Sequence, residues 1–102
     1  MKLDTAIANN ILTIAILGNI VSPEAIGLDG DIILLIEQHP CERIVLDFAN
    51  VEHMDSTGLG VLVILRQHAL NIHVPLDLAH VNEYIYTMIT RTCAEDFFSI
   101  IP

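Results

Sequence analysis

The sequence predicts an α/β fold in which a mixed β-sheet is covered by α-helices, with elements in the order β-β-α-β-α-β-α-β. Three observations support this. Short β-rich segments alternate along the chain with segments whose apolar residues recur at helical spacing. Asn9-Asn10 joins the first two β-rich segments as a tight hairpin. A small polar turn, residues 55–60, then connects a β-rich segment to a helical one.

The composition narrows the class of protein. A length of 102 residues indicates one domain, which can bury a core without disulfides. The hydrophobic fraction is 53% and the aromatic fraction 5%, so the core should be aliphatic. With 4 basic against 13 acidic residues the formal charge is −9, which disfavours nucleic-acid binding because phosphates must be neutralised by Lys and Arg. An acidic surface instead favours binding to a basic protein partner, or serves only to keep the protein soluble.

No cofactor, metal or membrane span is predicted. Cys41 and Cys93 are far apart and form no pair of ligand spacing, so both are expected to be buried, reduced thiols. The five His residues show no metal-binding pattern. No secretory signal is visible, and no apolar run approaches the ~20 residues of a membrane helix. A cytoplasmic protein is expected.

The first half of the chain predicts a hairpin followed by a helix. Thr5–Ala8 and Ile11–Leu17 are the two strands, and the second is nearly all apolar, which predicts cover on both faces. Ser22 is expected to cap the first helix, with Pro23 and Glu24 in its first turn. Pro40 should end that helix. Its predicted apolar face consists of Ala25, Leu28, Ile32, Leu35 and Ile36.

The second half predicts two more strand-helix units. Arg43–Phe48 is a strand, and Val61–Leu70 is a helix that should end near Asn71. Pro75 cannot donate to a ladder, which predicts that the strand around it, with Val74, Leu76 and Leu78, lies near an edge or bulge. Asn82 should cap a third helix, and residues 97–101 form a last short strand or tail. The side chains expected to be buried by the last two helices are Leu59, Leu62, Val63, Ala69, Leu70, Ile85, Met88 and Ile89.

The polar turn does not match the enzyme patterns that it first suggests. His53, Asp55 and Ser56 lie close in sequence, as in a serine hydrolase, but proximity in sequence is not triad geometry. A nucleophile elbow needs Gly two residues before the Ser, where this chain has Met54. A dinucleotide fingerprint lacks its third glycine after Gly60, and the Lys of a phosphate loop is missing.

Two interpretations of Ser56 remain. In the first, Ser56 is the N-cap of the helix, and Gly58 and Gly60 allow close helix–sheet packing. In the second, Ser56 is a switch, because a phosphate attached there would lie on the N–H donors at the positive end of the helix. Asp55 would repel that phosphate, so the modified and unmodified surfaces would differ sharply.

The segment Met54-Asp55-Ser56-Thr57-Gly58-Leu59-Gly60-Val61 resembles the phosphorylation loop of anti-sigma factor antagonists, the STAS domain family. The preceding strand, Arg43–Phe48, and Val51 also resemble that family, and the element order fits nearly the whole chain. The resemblance implies a single STAS domain over residues 1–102, with a mixed sheet of about four to five strands flanked by helices. It also implies that the protein is not an enzyme.

For function, the resemblance implies a partner switch. A serine kinase/anti-sigma factor of the histidine-kinase-like ATPase type would phosphorylate Ser56, with Thr57 as a secondary acceptor, and a metal-dependent serine phosphatase would reverse this. The unphosphorylated protein would bind the kinase through the loop from Met54 to Gly60. The output would be transcription, biofilm or motility control. Val21 stands where the family often has an acidic residue near the acceptor, which bears on kinase recognition.

Two other roles within the same family remain open: a constitutive subunit of a lipid-transport ABC complex, and a stressosome-type scaffold subunit. The retained Ser56-Thr57 pair argues mildly against the first. The surface that a kinase recognises is expected to include residues 20–24, residues 52–54 and the exposed face of the helix after Gly60, where Arg66 and Gln67 are predicted to lie.

Overall fold

The computed structural model describes residues 1–93 and 97–102 and contains one five-stranded sheet in the order β1-β2-β3-β4-β5. β1 is antiparallel to β2, and the later neighbours pair in parallel, so the sheet is mixed, as predicted. The element order β-β-α-β-α-β-α-β is confirmed. The elements are β1 Lys2–Ala8, β2 Ile11–Leu17, α1 Leu28–Gln38, β3 Arg43–Asp47, α2 Ser56–Asn71, β4 Leu76–Ala79, α3 Glu83–Thr92 and β5 Ser99–Ile101.

The predicted hairpin is confirmed, although its first strand begins at Lys2 and not at Thr5. Asn9 and Asn10 both have positive φ, 55° and 63°, which is the backbone of a two-residue type I′ turn. The prediction that both faces of β2 are covered is wrong for one of them. Leu12, Ile14 and Ile16 on one face are fully buried, whereas the alternating residues are only half-buried.

Helix α1 begins later than predicted, and Ser22 does not cap it. Gly27 occupies the N-cap with a φ of 88° and makes no side-chain cap hydrogen bond. Residues 22–27 form turns instead, because Ser22 bonds to Asp55, directly before α2, and to Thr57 in the first turn of α2. The helix ends before Pro40, as predicted. Its predicted apolar face is largely confirmed, since the buried members are Ala25, Leu28, Ile32 and Ile36.

Helix α2 begins at Ser56, so the predicted polar turn forms its first turn. Burial of Val63 and Leu70 was predicted wrongly, since these side chains are 38% and 51% exposed. Each follows by one position a residue on the buried face, which turns it by about 100° away from the sheet. The buried side of the helix consists of Gly58, Leu59, Val61, Leu62, Leu65 and Ala69.

The strand after α2 is not itself an edge strand but lies next to one, which agrees with the prediction of a position near an edge or a bulge. β4 lies between β3 and β5, and it begins one residue after the proline. At this position the sheet needs no N–H donor, so the proline is tolerated. The Pro75 carbonyl accepts from Ile44 N–H at 2.9 Å. Asn82 caps α3 as predicted, and β5 is shorter than the predicted 97–101 segment.

The core is aliphatic, as predicted, with Phe48 and Phe98 as its aromatic members among the described residues. Asp77 on β4 is a buried charged residue, and Arg43 on the neighbouring strand donates to its carboxylate at 2.6 Å. This ion pair satisfies a group that would be costly to bury alone. None of the helices formed by residues 1–93 and 97–102 is both long and apolar enough to cross a membrane.

Candidate functional site

Asp55 is the N-cap of α2. Its backbone is extended, and its Oδ1 accepts from Gly58 N–H at 3.0 Å, while its carbonyl accepts from Leu59 N–H at 3.0 Å. The prediction that Ser56 caps the helix is therefore wrong by one residue. Asp and Ser are equally good caps, and the helix begins one position earlier than the Ser interpretation requires. Ser56 is the first residue of the helix.

The segment before α2 is fixed to the chain that leaves β2. Ile20 donates its N–H to His53 carbonyl at 3.0 Å and accepts from Asp55 N–H at 3.2 Å, forming a parallel bridge with Met54. Asn19 Oδ1 accepts from the N–H groups of both Glu52 and His53 at 3.0 Å. The start of α2 is thus positioned by the backbone of Ile20 and the side chain of Asn19, both more than thirty residues earlier in the chain.

Gly58 is required by this close approach. A Cβ at Gly58 would collide with the carbonyl oxygen of Ile20 and come within 2.6 Å of Met54 Cγ. A Cβ at Gly60 would meet nothing within 4 Å. The predicted close packing is therefore confirmed for Gly58, where α2 meets the Ile20 segment, and is wrong for Gly60.

Ser22 lies in the segment 20–24 that the sequence analysis expects beside Ser56, and it joins the site through two contacts that no local pattern indicates. Its N–H donates to Asp55 Oδ2 at 2.8 Å, and its hydroxyl donates to Thr57 Oγ1 at 2.6 Å. The N–H groups of Ser22 and Gly58 together hold the pKa of the Asp55 carboxyl below its usual value. The Ser-Pro-Glu run has the local signature of a helix start, and no local pattern identifies a partner 33 residues away.

The seven residues predicted to form the phosphorylation loop differ in exposure. Ser56 is exposed and Thr57 is half-buried beneath the Ser22 contact. Because Ser56 and Thr57 are in the first turn, their N–H groups precede the intrahelical ladder and point out of the helix end. The remaining members are Asp55, half-buried; Met54, Gly58 and Leu59, buried; and Gly60, exposed.

His53 does not form a triad with its neighbours. Its ring packs edge-on against Tyr84 of α3, with 5.5 Å between the ring centroids. Within the part of the chain that the structure describes, no group of three His, Cys, Asp or Glu side chains is arranged to hold a metal ion. The chemistry available at this helix end is therefore that of an exposed hydroxyl, a fixed carboxylate and oriented N–H groups.

The structure places Arg66 and Gln67 differently from each other. Arg66 is half-buried: its Nε donates to Phe97 carbonyl at 2.5 Å, and its guanidinium lies 4.0 Å from the Phe97 ring centroid. Gln67 is exposed and donates to Asn71 Oδ1 at 2.9 Å. Ile20 and Met54 are buried, so the loops beside Ser56 expose mainly residues 22–24 and 52–53.

The protein-family model described as the STAS domain matches residues 2–102. No curated protein matches the sequence.

Several solved structures share the fold. A proposed anti-sigma factor antagonist of Thermotoga maritima has a TM-score of 0.84 at 18% identity, with 96% of this chain and 84% of that chain covered. An RsbS variant of Moorella thermoacetica has a TM-score of 0.81 at 14% identity, with 99% of this chain and 86% of that chain covered. The Bacillus cell fate determinant SpoIIAA, in its phosphorylated form, has a TM-score of 0.71 at 13% identity, with 99% of this chain and 92% of that chain covered. At these identities the likeness shows the fold.

Proposed function

This chain belongs to the STAS domain family, and we propose that it is an anti-sigma factor antagonist-like regulator that changes partners when Ser56 is phosphorylated. The unphosphorylated form binds a serine kinase/anti-sigma factor of the histidine-kinase-like ATPase type in the cytoplasm. Phosphorylation ends that binding, and a metal-dependent serine phosphatase restores it. The protein acts by binding and not by catalysis, and its output is control of transcription, biofilm or motility.

The observation that carries the proposal is the exposed Ser56 hydroxyl at the first position of α2, directly beside a fixed carboxylate. A kinase can reach this hydroxyl without unfolding the helix. Once attached, the phosphate would lie at the positive end of a 16-residue helix, close to N–H groups that have no intrahelical acceptor. The helix start therefore tolerates the modification.

Asp55 makes the modification consequential. Its carboxylate accepts from both Ser22 and Gly58, so it is held in place and cannot turn away from a new charge. A phosphate on Ser56 adds about −1.5 to −2 charges next to it. Two neighbouring negative groups then replace a neutral hydroxyl beside one carboxylate. A partner that docks over Ser56 would meet both steric bulk and like-charge repulsion.

The face of α2 that continues from Ser56 is suited to a protein partner. Val63 and Ile64 follow at seven and eight positions, which places them on the same side of the helix as Ser56, and they are 38% and 47% exposed. Exposed apolar side chains next to a modification site are typical of a docking surface. Glu24 and Glu52 are exposed in the adjoining loops, which favours a partner with basic residues at the rim.

The test is to recover the tagged chain from its own host with phosphatases inhibited and to locate phosphate by mass spectrometry. We expect phosphate on Ser56, with any minor fraction on Thr57. Ser56→Ala should abolish the main site, retain the fold and enrich the kinase in a pull-down. Ser56→Asp should lose that kinase. Ser99→Ala, at another exposed serine, is the matched control and should change neither result.

Other outcomes would reassign the protein. Absence of phosphate at both Ser56 and Thr57 would contradict the switch. Recovery of an ATPase and permease, regardless of the Ser56 variant, would instead indicate a constitutive subunit of a lipid-transport ABC complex. Recovery in a particle of very large size would indicate a stressosome-type scaffold subunit.

A further inference from the structure

Strand β1 is an unpaired edge of the sheet. It is seven residues long and, among residues 1–93 and 97–102, pairs only with β2, whereas the opposite edge, β5, has three residues. The two-residue turn makes Ala8 and Ile11 a hydrogen-bonded pair, and such pairs alternate along an antiparallel ladder. Leu3, Thr5 and Ile7 therefore direct their N–H and C=O groups away from β2, towards the open edge.

An apolar groove accompanies this open edge. The register places Leu3, Thr5 and Ile7 on the same face as the buried residues of β2, but Ile7 is 48% exposed. Leu34 of α1 is 54% exposed on the other side of the groove. The groove between β1 and α1 is lined by Met1, Leu3, Thr5, Asp31, Leu34 and Leu35. Backbone donors, backbone acceptors and apolar side chains thus lie together along one edge.

The charges on β1 are complementary to those of a second copy. Lys2 is the only lysine in the chain, and it lies on the same face of β1 as Asp4. If two β1 strands run antiparallel about Leu3, Lys2 of each copy lies opposite Asp4 of the other. These two positions form a non-hydrogen-bonded pair, in which opposing side chains are closest. A two-fold axis at Asp4 would instead oppose two carboxylates.

We propose that two copies of this chain dimerise edge to edge through β1, antiparallel and with Leu3 on the two-fold axis. The dimer continues the sheet across the interface, with Leu3 paired to Leu3 and Met1 to Thr5 by backbone hydrogen bonds. Two Lys2–Asp4 ion pairs fix the register, and the apolar groove lies against its copy. An isologous contact of this kind closes at two subunits, so it removes an edge that would otherwise favour open-ended association.

Sedimentation equilibrium over a range of concentrations tests the dimer. Lys2→Asp and Asp4→Lys should each weaken dimerisation about tenfold or more, because two ion pairs become two repulsive pairs. The double exchange, Lys2→Asp with Asp4→Lys, should restore it. An equimolar mixture of the two single variants should form a mixed dimer as tightly as the original chain. Arg91→Asp and Glu37→Lys, which make the same charge changes at other exposed positions, should have little effect.

A backbone variant completes the test. Thr5→Pro removes one outward N–H on each copy while leaving the ladder to β2, and it should weaken the dimer at least as much as the charge variants. Circular dichroism verifies that each variant is folded. A wild-type chain that stays monomeric at every concentration overturns the proposal. The proposal is also overturned if the charge exchanges leave the dimer dissociation constant unchanged, or if the two single variants do not associate when mixed. In either case the contact would use another surface.

Discussion

Helices α2 and α3 begin with the same cap geometry, yet only the start of α2 has an exposed serine directly after a charged cap. Asp55 accepts from Gly58 N–H at 3.0 Å, and Asn82 accepts from Ile85 N–H at 2.8 Å. The third residue of α3 is a fully buried isoleucine, whereas the third residue of α2 is a glycine that contacts another backbone. The start of α3 is anchored by a buried side chain, and the start of α2 by backbone contacts.

The two caps also differ in what else they bind. The Asn82 amide donates to the carbonyls of Val51 and Glu52, so the cap of α3 ties that helix to the segment leading into α2. The Asp55 carboxylate instead accepts from Ser22, and an exposed serine follows it. A helix cap by itself therefore does not indicate function. What distinguishes α2 is a charged cap beside an exposed serine, in a first turn whose backbone is held in place by the Ile20 segment.

The largest expected effect concerns the glycine that fixes the start of α2. Gly58→Ala should lower the free energy of unfolding by about 2–3 kcal/mol, because the new methyl group meets the Ile20 carbonyl, which cannot move without breaking the bridge to Met54. Gly60→Ala should be neutral or stabilising by up to about 1 kcal/mol, since its Cβ enters open space. Urea unfolding of both variants measures the contrast. Equal effects would show that the backbone contact does not fix this helix start.

The next effect is a difference between the two caps in how their contribution to stability depends on pH. The folded-state pKa of Asp55 is lowered by hydrogen bonds from Ser22 and Gly58, so its contribution to stability is present above its ordinary pKa, 3.8. That contribution is lost as pH falls through the lower, folded-state pKa. Asp55→Asn should therefore be less stable than the original chain at pH 7, and the difference should shrink below pH 3.8.

Asn82→Ala is the reference for that comparison. It removes a neutral cap and two amide hydrogen bonds, so it should cost about 1–2 kcal/mol at either pH. Urea unfolding of the original chain, Asp55→Asn and Asn82→Ala at pH 7 and at pH 3 measures how the stability lost in each variant depends on pH. A pH-independent loss in Asp55→Asn would show that the charge of the α2 cap contributes nothing to folding.

The contrast between the two starts also explains what the sequence could predict. The hairpin at Asn9-Asn10 and the cap at Asn82 were predicted correctly because their signals are local: adjacent residues that tolerate positive φ, and a cap residue before a periodic apolar segment. The segment from Asp55 to Gly60 was predicted to form the first turn of α2 for the same reason, and its role as a phosphorylation loop stays a prediction. Its exact cap was not predicted correctly, because Asp55 and Ser56 are adjacent and have equal cap preference.

Errors arose where a distant partner outweighed a local preference. Ser22-Pro23-Glu24 has the pattern of a helix start, but the Ser22 N–H and hydroxyl bond to Asp55 and Thr57, and α1 begins only at Leu28. Pro75 indicated a strand near an edge or a bulge, but not that the ladder of β4 would begin one residue after the proline. In both cases the deciding contact comes from more than thirty residues away, where single-sequence periodicity carries no signal.

The smallest effect tests whether Ser22 belongs to the α2 start or merely lies beside it. Ser22→Ala and Thr57→Val each remove one partner of a 2.6 Å hydroxyl–hydroxyl bond, and each should cost less than about 1 kcal/mol because Ser22 is exposed. In a double-mutant cycle the two changes should be non-additive by about 0.5 kcal/mol. Thr90→Val on α3, whose hydroxyl bonds only to its own helix backbone, is the matched control and should be additive with Ser22→Ala. Additivity of Ser22→Ala with Thr57→Val would mean that the Ser22 hydroxyl does not stabilise this start, and that its backbone N–H to Asp55 is the contact that counts.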